Sequence, residues 1–78
     1  MNLNLIPVPH GWTYMLIDGL PSIERDVGDH YSITIALDEG KWVWWLCHRG
    51  KDTSFLNGES DDMVESMFQA LDAHVLSH

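Results

Sequence analysis

The 78 residues carry twelve Asp and Glu against four Lys and Arg, a formal net charge of −8. Such a chain offers no basic stripe for nucleic-acid phosphates and is repelled by anionic membrane surfaces. The length fits one domain over 1–78 and the 45% hydrophobic content excludes a disordered chain, while a lone cysteine, Cys47, excludes an internal disulfide.

The opening Met1-Asn2-Leu3-Asn4-Leu5 lacks the basic region and long apolar stretch of a signal peptide. No apolar run approaches the roughly 20 residues of a membrane span, so the expected location is the cytoplasm. Residues 1–11 read as an extended arm or an edge strand, because Pro7 and Pro9 cannot donate to a sheet ladder. Residues 12–17 favour β structure and close on Asp18-Gly19, which signals a strand and a turn. Residues 20–28 fit a short strand or an acidic loop equally well, with Ile23 and Val27 isolated among charges and Pro21 near the start.

From Tyr31 the pattern is plain: Tyr31, Ile33, Ile35 and Leu37 alternate with Ser32, Thr34 and Ala36, as in a strand with one buried face. Asp38-Glu39-Gly40 predicts a tight hairpin connection, followed by a strand over Lys41–His48. Arg49-Gly50-Lys51 predicts a turn, residues 52–56 a short returning strand, and Asn57-Gly58 the end of a sheet spanning 12–56. Residues 59–76 predict a helix with Ser60 as N-cap and Asp61, Asp62 and Glu65 complementing its dipole. Val64, Met67, Phe68, Leu71 and Val75 form its apolar stripe at three- and four-residue spacing. The expected fold is α+β: an antiparallel β-meander of about four strands with one C-terminal amphipathic helix packed on one face.

The strand Lys41–His48 departs from simple alternation. Trp42, Trp44 and Leu46 point one way, and Val43, Trp45 and Cys47 the other. One helix covers one face of a sheet, so either Trp42 and Trp44 or Val43 and Trp45 should lie on the open face. The N-terminal arm, a second copy in a homodimer and another protein compete to cover that face. Trp42 and Trp44 are the candidate binding anchors, since tryptophan is enriched in interface hot spots.

Acidic residues gather in two stretches, Asp18, Glu24, Asp26 and Asp29 in the first and Glu59, Asp61, Asp62 and Glu65 in the second, and Glu24, Asp26, Asp29, Asp61 and Asp62 stand out among them. These five are candidate binding residues for a basic surface on a partner protein; the plainer reading is solubility and helix-dipole complementarity. Asp29-His30 and Cys47-His48 each offer two metal-ligand types, but neighbours in a strand point to opposite faces and no CxxC, HxxxH or HExxH spacing occurs. No metal or other cofactor is therefore expected. A glycine-rich phosphate loop and a nucleophile elbow are both missing from the sequence, so a catalytic role is not expected either.

In size, acidity and lack of catalytic motifs the chain is similar to small inhibitor proteins of bacteriophages and mobile elements, including anti-CRISPR and anti-restriction proteins. The likeness lies in bulk properties and rests on no motif; it implies occupation of a basic nucleic-acid channel or a subunit contact. The leading expectation is a small acidic inhibitor or regulator that binds another protein, with no direct nucleic-acid or membrane contact. The alternatives are a homo-oligomeric structural or accessory subunit, and a small metal-dependent or cysteine enzyme.

Overall fold

The computed structural model describes residues 8–49 and 54–76, with side chains from Leu56 onward in the second stretch. Residues 1–7, most of the expected arm, lie outside the described residues. Five strands, β1 (Thr13–Ile17), β2 (Leu20–Val27), β3 (Tyr31–Asp38), β4 (Lys41–His48) and β5 (Ser54–Ser60), form one open antiparallel sheet in chain order. The helix α1 (Met63–Leu76) packs on one face, chiefly over β4, β5 and β3. The α+β meander with a C-terminal helix is as expected; the sheet has five strands rather than about four. No helix among the described residues is long and apolar enough to cross a membrane.

Turn chemistry sets the meander. Asp18-Gly19 (φ 52° and 82°) and Glu39-Gly40 (φ 51° and 81°) are two-residue loops with both positions in the left-handed region. That twist matches the strands it joins, so Ile17 pairs with Leu20 and Asp38 with Lys41.

The additional strand is residues 20–27, where charge masks the alternation. Ile23 and Val27 are buried on the helix side, and Ser22, Glu24 and Asp26 face the other way. Pro21 is tolerated because the β2–β3 register begins at Ser22, leaving Pro21 paired only with Leu16 on β1.

Asn57-Gly58 does not end the sheet. Both residues sit within β5, with Gly58 directly opposite Trp44. A Cβ at Gly58 would lie 2.7 to 2.9 Å from three indole atoms of Trp44, so the glycine makes room for a ring rather than a turn.

The helix starts later than expected and is capped by Asp62, not Ser60. The Asp62 carboxylate accepts from the Glu65 amide at 3.1 Å, and the first helical bond runs from the Ser66 amide to the Asp62 carbonyl. Ser60 instead joins strand to helix. Its hydroxyl lies 2.9 Å from that of Ser66, which donates to the Trp42 carbonyl at 2.7 Å.

The helix is also rotated relative to the expected stripe. Its buried residues are Met63, Ser66 and Ala70, with Met67, Leu71 and Ala73 packed alongside, while Val64, Phe68 and Val75 are exposed. The sheet face beneath already carries Ile23, Ile33, Ile35, Trp44 and Leu46. A close helix approach over such bulk requires small side chains on the helix.

Candidate interaction surfaces

The strand register sorts every side chain onto one of two faces. On the face away from α1, one row crosses all five strands as Met15, Ser22, Ala36, Val43 and Glu59. The next row runs Thr13, Glu24, Thr34, Trp45 and Asn57. The floor is the trio of small residues Ser22, Thr34 and Ala36, all buried, with Met15 on one side and Val43 and Trp45 on the other.

Of the two arrangements expected for β4, the structure has Val43 and Trp45 on the open face, so the candidate anchors Trp42 and Trp44 do not lie open. Both point toward α1. Trp44 is only 6% exposed, and its indole N–H donates to the Gln69 side chain at 2.9 Å. Trp42 is partly buried against the same core. The reason is α1 itself, which lies over β4 and β5 and takes this side of β4 as its platform. Val43 and Trp45 occupy the open face, both partly buried. Trp12 is buried in the core, so two of the four indoles are sealed in and two are part-exposed.

The five candidate carboxylates do not form one patch. In an antiparallel meander, alternate connections lie at the same end of the sheet. Asp61 and Asp62, at the β5–α1 junction, therefore share an end with the β1–β2 and β3–β4 turns. Asp18 belongs to the first of these turns, Glu39 to the second, and Asp38 begins the second. Glu59 and Glu65 flank the helix junction. All seven carboxylates are exposed. Among the described residues the one Lys or Arg at this end is Lys41, which is paired with Asp61. That carboxylate holds the Lys41 ammonium above its ordinary pKa, first by a hydrogen bond and then by charge.

Asp26 and Asp29 sit at the opposite end, where the β2–β3 turn meets the end of β4. Arg49 lies there, 3.7 Å from Asp26, and donates to the Gly28 carbonyl at 2.9 Å. Both ion-pair partners are about half exposed, so the pair contributes little to stability. Glu24 is partly buried in mid-strand on the open face, beside Thr34. The sequence did not single out Asp38 and Glu39, because adjacency in the chain hides what the sheet brings together.

Asp29, His30, Tyr31, His48 and Arg49 line a shallow concavity at the second end. The Tyr31 ring lies between His48 and His74, at centroid distances of 5.0 and 5.2 Å. No group of three or more His, Cys, Asp or Glu among the described residues is placed to hold a metal ion. Cys47 faces the open side with Ser32 as its β3 partner, whereas His48 pairs with Tyr31 and faces the helix side. Burial, and then the negative charge of Glu24, push the Cys47 thiol above its ordinary pKa. An activated nucleophile needs the reverse shift. Compared with known proteins, the chain matches no family model, no curated protein and no solved structure.

Proposed function

We propose that this chain is a non-catalytic regulator or inhibitor that acts in the cytoplasm by docking its acidic end on a basic surface of a partner protein. The observation that carries this reading is the seven exposed carboxylates, opposed among the described residues by one paired lysine, at the end of the sheet shared by two turns and the helix start. A field of one sign over one end of a small body raises association rates by about 10- to 1,000-fold and orients the approach. The acids also extend beyond what the fold asks for. Glu39 holds a left-handed backbone (φ 51°) where Asn or Gly would be relaxed, a strain of about 1 kcal/mol. The raised thiol pKa of Cys47, which faces the side of the sheet opposite His48, supports a binding role over a catalytic one.

The test is capture from a lysate of the source organism, using the wild-type chain and a variant carrying Asp38→Lys, Glu39→Lys and Glu59→Lys. The reading expects a basic protein that binds wild type, elutes as salt rises and is lost with the variant. An identical set of captured proteins would refute it.

A second reading, a self-associating subunit, is favoured by the apolar residues of the open face, Met15, Val43 and Trp45. Sedimentation separates the two. A stable oligomer dispersed by Trp45→Glu supports self-association, and a monomer at micromolar concentration removes it.

A further inference from the structure

The floor of the sheet face opposite α1 is sealed, although among the described residues no helix or strand lies over it. Ser22 and Ala36 are both 0% exposed there, and Thr34 is 9% exposed. Ser22 and Ala36 are cross-strand partners, so the sealed floor is two strands wide, between Met15 on β1 and Val43 on β4. These rims stand three strand spacings apart, roughly 14 Å, and their side chains rise from the sheet rather than across it. Met15, Val43 and Trp45 are themselves only partly buried. A serine and an alanine set lower than their neighbours lose all contact with water only under a further layer. The burial is complete within one copy and α1 packs on the other face, so the cover belongs to this chain.

The residues ahead of β1 meet the requirements for that cover. The Trp12 amide donates to the Pro9 carbonyl at 3.1 Å, and Gly11 (φ 90°) turns the chain between them. What precedes Pro9 is thereby directed back from the Trp12 end of β1 instead of past the sheet. Gly11 and Thr13, with Glu24, Arg25 and Asp26, line a shallow concavity at that point. Glu24 stands between it and Ser22, two residues along the same face of β2. Seven extended residues span about 23 Å, enough to cross from β1 to β4. In residues 1–7, Leu3 and Leu5 alternate with Asn2 and Asn4, which offers an apolar side to the floor and a polar side to water. Pro7 removes a backbone donor that a segment lying over side chains would leave unsatisfied. Charge argues against a second copy as the cover. The segment carries no charged side chain, whereas two copies face to face would set Glu24, Asp26 and Glu59 against their own duplicates. Residues 50–53, between β4 and β5, are too few to reach Ser22 on β2 and return.

We propose that residues 3–7 cross this face as a strap, with Leu3 and Leu5 seated on Ser22, Thr34 and Ala36 between Met15 and Trp45. The strap closes to a second copy the apolar face that self-association would need. It is independent of the docking role of the acidic end.

Two native side chains report on this face. Trp45 pairs with Thr34, and Cys47 follows it on the same side of β4. In the full chain, Leu3→Asp with Leu5→Asp should speed labelling of Cys47 by a thiol reagent about tenfold. The same variant should increase acrylamide quenching of tryptophan fluorescence by an increment that Trp45→Phe removes. Leu3→Ser with Leu5→Ser should act in the same direction without added charge. Asn2→Asp with Asn4→Asp is the control: it places the same charge on the other side of the segment and should leave both readings unchanged. A cooperative melt checks that each variant is folded. Unchanged labelling and quenching in the leucine variants overturn the proposal, as does an equal effect of the asparagine variant, since charge alone would then be acting. So does a wild-type dimer whose Cys47 protection is lost on dilution, which would make a second copy the cover.

Discussion

Replacing Gly58 by Ala should destabilise the protein, although alanine is ordinarily the better strand residue. The new methyl would stand 2.7, 2.8 and 2.9 Å from Nε1, Cε2 and Cζ2 of Trp44, closer than real side chains approach. Trp44 cannot simply yield. It is 6% exposed in the core, and its N–H is held by Gln69. Forcing extra volume into a packed site costs about 1–3 kcal/mol, and losing the indole hydrogen bond adds about 1 kcal/mol. The backbone gain from Gly to Ala returns about 0.5–1 kcal/mol. The net loss is about 1–3 kcal/mol, which for a domain of this size lowers the melting temperature by about 5–20 °C. Thermal denaturation followed by near-ultraviolet circular dichroism reads both the stability and the indole's asymmetric packing. The steric origin is checked in a Trp44→Phe background, where the shorter ring should make Gly58→Ala nearly neutral and reveal coupling of about 1–2 kcal/mol. A Gly58→Ala variant that melts at or above wild type, with an unchanged tryptophan spectrum, would refute this account of β5.

Ser66→Ala should cost about 1 kcal/mol in chemical denaturation, because the fully buried hydroxyl donates to the Trp42 carbonyl and adjoins Ser60. Glu39→Asn should raise stability by about 0.5–1 kcal/mol, since Asn tolerates the left-handed backbone at φ 51°. Cys47 should react more slowly than free glutathione with a disulfide reagent at neutral pH, because burial and Glu24 hold its thiol protonated. That raised pKa has a consequence for stability. The folded state keeps the proton that the unfolded chain releases, so stability is unaffected below about pH 8.5 and falls as pH rises through it. Cys47→Ala should flatten this decline, as measured by urea denaturation at stepped pH.

Much of the fold was legible in the sequence because period-two alternation and turn chemistry carry direct physical meaning. Tyr31 through Leu37 reads as a strand with one buried face, although Thr34 and Ala36 on the other face are buried too, and Asp18-Gly19 and Glu39-Gly40 supply the positive φ values their hairpins need. Residues 20–27 were obscured because Glu24 and Asp26 face the open side and Arg25 is exposed, leaving only Ile23 and Val27 to mark the core. Asn57-Gly58 read as a terminator because a glycine's local signal does not report the ring packed against it from another strand.

The helix shows a different limit. Hydrophobic periodicity finds its greasiest side, yet tertiary packing selected the side with Ser66, Ala70 and Ala73, which fits over a crowded sheet. The same competition decided the tryptophans. Alternation showed that Trp42 and Trp44 share a face opposite Val43 and Trp45, but which pair α1 would cover depends on the handedness of the β5–α1 connection, beyond the reach of residue pattern. The shared end of the carboxylates was hidden for a topological reason: Asp18, Asp38 and Asp61 are far apart in sequence and come to one end of the sheet only because alternate meander connections share it.

The most direct measurement is the association rate with the captured basic partner across ionic strengths, comparing two triple charge reversals. One places Lys at Asp38, Glu39 and Glu59, and the other at Glu24, Asp26 and Asp29, so the change in net charge is identical. The account predicts that the first reversal slows association about tenfold or more at low salt and abolishes the salt dependence, while the second has a much smaller effect. Equal slowing by both would show that only total charge matters, and would contradict a docking end.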